Sequence, residues 1–152
     1  MKEQNIDTEF LEKLTKLSRK LQTVFNQQVT AVGLTYPRAR SLFVLAKRGQ
    51  LTQSELAFEL QLEQATVVRL VDRMEEIGLV ERKPDPTDRR IKLLTLTPHG
   101  EEQAGMVRKV ASDMRAQVFN GIDTTDLKKG ELLLDEIADR LETISDLKLH
   151  QK

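Results

Sequence analysis

At Gly78 the hydrophobic period of this 152-residue chain changes, and few folds accommodate the change. Before it, Val67, Leu70, Val71, Met74 and Gly78 fall on one stripe at the 3.6-residue period of a helix. After it, Leu79-Val-Glu-Arg-Lys83 reads as a strand and Ile91-Lys-Leu-Leu-Thr-Leu96 as a returning strand. Between them, Pro84-Asp-Pro-Thr-Asp-Arg-Arg90 is a loop, because Pro and Asp favour turn geometry. The residues upstream add a second helix. Thr52 and Glu55 form a T-x-x-E capping box that opens a short helix over about 53–60, burying Leu56 and Leu60, and Gln61-Leu-Glu63 is the turn that follows. Helix, turn, helix and basic-tipped hairpin together predict a winged helix-turn-helix.

Longer helices flank this unit. Phe10, Leu14, Leu17, Leu21 and Val24 recur at spacings of 4, 3, 4 and 3, one face of a helix over about 8–29. Gly33 stops it, and Thr35 with Pro37 starts another as N-cap and first-turn proline. Ser41-Leu-Phe-Val-Leu-Ala46 makes that second helix largely buried, and Gly49 ends it. Thr97 and Pro98 start a fifth helix with a face of Val107, Val110, Ala111, Met114 and Val118. Gly121 interrupts, Asp123, Thr124, Thr125 and Asp126 cap a last helix, and Leu134, Ile137, Leu141 and Ile144 line one side of it. The expected fold class is mainly α (α+β), divided as 1–34, 35–97 and 98–152.

Composition excludes several kinds of chemistry. There is no cysteine, hence no disulfide, thiolate metal site or thiol nucleophile, and His99 and His150 do not make a histidine-rich zinc site by themselves. His99, in the first turn of the fifth helix, is expected to be an ordinary, partly exposed side chain. No nucleophile–base pair, P-loop or G-x-G-x-x-G is present, so no catalytic residue, metal or cofactor is expected and the chain reads as a non-enzyme. No run reaches the ~18 apolar residues that span a bilayer, and Met1-Lys-Glu-Gln-Asn5 has no secretory h-region. The expected location is cytoplasmic.

The formal net charge is zero, 24 basic against 24 acidic, but it is unevenly spread. Residues 38–48 carry Arg38, Arg40, Lys47 and Arg48 without an acid, +4. Residues 82–92 carry five cations against Asp85 and Asp88, +3, and residues 101–152 carry 8 basic and 11 acidic side chains, −3. At 100° per residue from Gln64, the core stripe of the second motif helix leaves Ala65, Val68, Arg69 and Asp72 on the opposite face, with Gln64 and Arg73 at its margins and Thr66 nearer the core. Gln64 can bond an adenine edge, Arg69 a guanine edge, and Val68 can meet a thymine methyl. The same side chains would also make an ordinary solvated face. In the loop, Asp88 is expected to bond a neighbouring Arg or a loop amide, holding Arg89 and Arg90 at a stiff tip suited to a narrow minor groove. A lone DRR would be a solvated turn; after a helix-turn-helix it favours double-stranded DNA.

Leu51-Thr-Gln-Ser-Glu-Leu-Ala57, Gln64 through Val80, Asp85-Pro-Thr-Asp-Arg-Arg90 and Leu96-Thr-Pro-His-Gly100, with Gly33-Leu-Thr35 before the second helix, resemble the MarR family of transcription regulators, most of all its SlyA-like branch. The resemblance implies a homodimer, with a helical dimerisation lobe built from the N- and C-terminal helices, on a pseudo-palindromic operator. By position it implies that Arg69 reads a base, that Arg90 enters the minor groove with Asp88 positioning it, and that Thr52, Gln53 and Ser54 lie near phosphate. It further implies a repressor modulated by a small phenolic or carboxylate effector. Tyr36, Arg38, Arg40, Phe43 and Met106 are candidate lining residues, although packing for Tyr36 and Phe43, and phosphate or surface roles for the arginines, account for them better. Lack of cysteine departs from the peroxide-sensing branch, and scarcity of histidine from the zinc-sensing one. The alternative is a winged-helix protein-interaction module that does not bind DNA.

Overall fold

The structure, a computed structural model, describes residues 5–150, with side chains through residue 145. Residues 1–4 and the side chain of His150, both read above, lie outside the described residues. The chain forms two compact units, one ending at Met114 and the other beginning at Arg115. The first holds α1 (Ile6–Ala31), α2 (Tyr36–Arg48), β1 (Leu51–Thr52), α3 (Gln53–Leu60), α4 (Gln64–Glu76), β2 (Val80–Pro84), β3 (Lys92–Leu96) and most of α5 (Pro98–Phe119). The second holds the end of α5 and α6 (Thr124–His150).

Local chemistry sets the helix ends. Asn5 accepts the Thr8 amide at the start of α1, where Asp7 and Glu9 also oppose the positive end of the helix dipole. Thr35 stands at the N-cap of α2 but makes no side-chain capping bond, and Pro37 lies in the first turn. Gly49 ends α2 at φ +84°. The Thr52–Glu55 capping box on α3 is closed in both directions, at 3.1 and 3.3 Å. Gly78, at φ +80°, turns the chain from α4 into β2 while the Leu79 amide bonds back to the Met74 carbonyl.

One core serves the first unit. Val29 of α1, Leu42 and Leu45 of α2, Leu51, Leu56 of α3, Val67, Val71 and Met74 of α4, Leu79, Val80, Leu94 and Val107 of α5 are all essentially inaccessible to solvent. The buried Ser41 hydroxyl donates to the Pro37 carbonyl, so it adds no unsatisfied group.

The sequence pattern predicts a two-strand wing, whereas the sheet has three strands, in the order β1-β3-β2, all antiparallel. Capping α3 requires extended backbone at Thr52, and that backbone pairs Leu51 with Leu94 and Thr52 with Leu93. The long amphipathic stripes also form as helices but are largely uncovered in the single chain. On α1, Phe10, Leu17 and Leu21 are exposed, Leu14 and Val24 half-buried, and Val29 alone is buried. On α6, Leu134, Leu141 and Ile144 are exposed and Ile137 half-buried.

Candidate nucleic-acid interface

Val67, Val71 and Met74 seat α4 in the core, with Leu70 half-buried beside them. Gln64, Ala65, Arg69, Asp72 and Arg73 are exposed on the outer side. Thr66, expected nearer the core, is exposed too, and Val68, expected to face outward, is half-buried. Among the described residues Arg69 forms no ion pair, whereas Arg73 meets Glu76 at 3.2 Å one turn on. Gln64 donates its side-chain amide to the Ser54 hydroxyl at 3.0 Å, tying the first turn of α4 to that of α3.

The start of α3 is more self-satisfied than its resemblance to a phosphate contact suggests. Thr52 commits its hydroxyl to the helix cap, Gln53 accepts the Arg82 Nε–H at 3.0 Å, and Ser54 accepts from Gln64.

At the wing, β2 and β3 run in register from Val80↔Leu96 to Pro84↔Lys92. The loop between them is built by two carboxylates. One oxygen of Asp85 accepts the Thr87 amide at 2.7 Å, the Thr87 hydroxyl at 2.6 Å and the Asp88 amide at 3.3 Å. These bonds, the Thr87 hydroxyl first, hold the Asp85 carboxyl below its ordinary value. Asp88 accepts the Arg90 amide at 3.0 Å and its guanidinium at 3.2 and 3.4 Å. The Arg90 side chain is otherwise 91% exposed. Asp88 thus orients that cation without covering it. Arg89 is exposed and unpaired among the described residues.

Arg82, counted above with the wing cations, is no free charge. It is 20% exposed and bonds Asp72 at 2.6 Å, Glu75 at 3.1 Å and Gln53 at 3.0 Å. A signal for this lay in the strand period: Arg82 follows the buried Val80 by two residues and therefore shares its face.

A cleft of about 440 Å³ lies between Phe25 of α1, Arg40, Phe43, Val44, Lys47 and Arg48 of α2, Glu59 of α3 and Ala111 of α5. Arg40 donates to the Glu59 carbonyl at 3.1 Å and Arg48 to the Glu59 carboxylate at 2.7 Å. Of the five lining candidates, Arg40 and Phe43 border this cleft. Tyr36 does not border it, but its ring lies 5.9 Å from the Arg40 guanidinium carbon and edge-on to Phe25 at 6.1 Å. Arg38 and Met106 do not border it, and Met106 is exposed. Among the described residues no cluster of acids and histidines could hold a metal ion, and no helix is long and apolar enough to cross a membrane.

The family model described as the MarR family matches residues 32–91, the stretch from the end of α1 through the wing loop. The structure of the transcriptional regulator PA3341 superposes with a TM-score of 0.81 at 32% identity, covering 88% of this chain and 98% of that one. This chain belongs to the MarR family. This MarR-family protein is also similar to a MarR family transcriptional regulator from Silicibacter pomeroyi DSS, with a TM-score of 0.77 and 28% identity over 86% of this chain and 88% of that one. It is 26% identical over 113 residues to the HTH-type transcriptional repressor IacR of Pseudomonas putida, covering 74% of this chain and 68% of that one. The similarity extends beyond the winged unit, over 88% and 86% of this chain in the two solved structures.

Proposed function

We propose that this protein is a cytoplasmic, homodimeric, sequence-specific DNA-binding repressor of the SlyA-like branch. Residues 35–97 read the duplex, and residues 1–34 and 98–152 form the dimerisation lobe. The observation that carries the reading is the pairing, on one winged unit, of an exposed polar α4 face with a rigid hairpin tip whose cation is aimed outward by Asp88. A helix face of that kind suits a major groove and such a tip suits the adjoining minor groove. Gln64, Ala65, Val68, Arg69 and Arg73 are the proposed base-facing residues. Arg89 and Arg90 are the proposed wing contacts, and Thr52, Gln53 and Ser54 are the proposed phosphate contacts.

The uncovered apolar faces of α1 and α6 support the dimer, since a folded monomer rarely leaves so many large aliphatic side chains in water. The repressor assignment follows the character of the relative IacR. The cleft supports a small aromatic carboxylate as effector. Phe25, Phe43, Val44 and Ala111 offer apolar surface, and Arg40, Lys47 and Arg48 outnumber Glu59.

Selection of bound fragments from the source genome tests the reading. The expected product is a pseudo-palindrome with half-sites roughly one helical turn apart, bound with steep salt dependence. Failure to enrich any sequence, or affinity insensitive to salt, would instead support a protein-interaction module.

A further inference from the structure

We infer that Arg82 is a positioning residue for DNA reading: it clamps the recognition helix to the wing through two carboxylates of that helix, Asp72 and Glu75. The inference rests on the DNA-binding reading above and goes beyond it, because Arg82 is assigned no contact with DNA. Arg82 stands on β2, at the base of the wing. Its Nη2–H groups donate to Asp72 at 2.6 Å and to the Val68 carbonyl at 3.5 Å, its Nη1–H to Glu75 at 3.1 Å, and its Nε–H to Gln53 at 3.0 Å. Its own amide donates to the second Glu75 oxygen at 3.2 Å. One planar fork therefore joins β2 to three residues of α4 and to the first residue of α3.

Two consequences follow for recognition. Helix and wing are held as one body, so the angle between the groove-reading face and the arginine tip is set before DNA arrives rather than on binding. In addition, Asp72 and Glu75 lie on the same helix as Arg69 and would repel phosphates; Arg82 draws both toward the wing and offsets part of their charge. Lysine cannot substitute, since a single ammonium lacks the planar, divergent donors that reach two helices at once.

The test uses the full chain, the duplex that the wild type enriches most from a random-sequence pool, and a shuffled duplex of equal composition. Arg82→Lys and Asp72→Asn are each expected to lower the ratio of the two affinities about tenfold. Both should leave the slope of log affinity against log salt at its wild-type value, because no phosphate contact is lost. A slope shallower by about one in Arg82→Lys makes Arg82 a phosphate contact and overturns the clamp. Tighter binding of both duplexes by Asp72→Asn means that only its charge matters, which also overturns it. Asp72→Asn alters an exposed partner and keeps the test open if Arg82→Lys does not fold. A wild type that enriches no duplex overturns the DNA-binding reading and, with it, the clamp's role; a wild type that discriminates no better than both variants overturns the clamp alone.

Discussion

The α-carbon of Gly100 rests against the main-chain carbonyl of Leu79, leaving no room for a β-carbon. Thr97 completes the joint: its amide donates to the same carbonyl at 3.0 Å, its hydroxyl donates to the Gly78 carbonyl, and that hydroxyl accepts the Gly100 amide at 3.0 Å. The Leu96-Thr-Pro-His-Gly100 run is therefore a weld between the α4–β2 turn and the first turn of α5. Gly100→Ala should destabilise the protein by about 1–3 kcal/mol or more, as expected when a packed site must move backbone to admit a methyl. Urea denaturation of the variant beside the wild type measures it, and an unchanged midpoint contradicts the packing.

Asp88 and Arg90 should separate a contact from its support. Arg90→Ala is expected to weaken operator binding by about 1–3 kcal/mol. Asp88→Ala should weaken it less, because the cation remains but loses its bonds to Asp88. Fluorescence anisotropy titrations of labelled operator give the order, and an Asp88→Ala variant that binds more tightly than wild type would mean that its negative charge outweighs its positioning.

The wing loop should resist acid further than an ordinary aspartate would allow. Hydrogen bonds from Thr87 and the Asp88 amide hold the folded Asp85 carboxyl below 3.8. A depressed folded pKa adds stability above the unfolded value, and that stability is lost as pH falls through the lower folded value. The loop should therefore keep its shape at the pH where an ordinary aspartate is already half-protonated, and loosen only at lower pH. An NMR titration following the Asp85 carboxyl carbon and the Thr87 amide tests this; a midpoint at or above 3.8 refutes it.

On α1, Leu17 is 55% exposed within an apolar stripe. If that stripe is buried between two copies, Leu17→Glu places a charge in an apolar contact and should weaken self-association about tenfold or more. Sedimentation velocity across a concentration series reads the outcome, and a variant that remains as dimeric as wild type removes α1 from the interface.

Benzoate is the simplest probe for the cleft. Arg40→Ala should raise its dissociation constant about tenfold, the cost of one charge-assisted hydrogen bond. Isothermal titration calorimetry measures it, and equal affinity in both proteins places the carboxylate elsewhere.

Much of this protein follows from neighbours in sequence. The Thr52–Glu55 box, the glycines at the ends of α2 and α4, the period change at Gly78 and the Asp88–Arg90 bond all arise from groups within about four residues of one another. Such interactions operate in any chain that carries those residues, which is why helix order, hairpin and tip geometry could be read directly. The uneven charge was also legible, but its destination was not. Arg82 and Arg89 look alike in a count of cations, yet one is clamped by α4 and α3 and the other is exposed.

Tertiary structure decided what depends on residues far apart in the chain. Only folding brings Leu51 beside Leu94, Ser54 beside Gln64, Arg82 beside Asp72 and Gly100 beside Leu79. None of these pairs is implied by a hydrophobic period, because a period specifies which face is buried and not what it is buried against. The amino-acid order determined the elements and their amphipathic faces. Close packing around one shared core determined which polar groups were left facing outward and which were used up inside, since a buried donor or acceptor must find its partner wherever the fold places one.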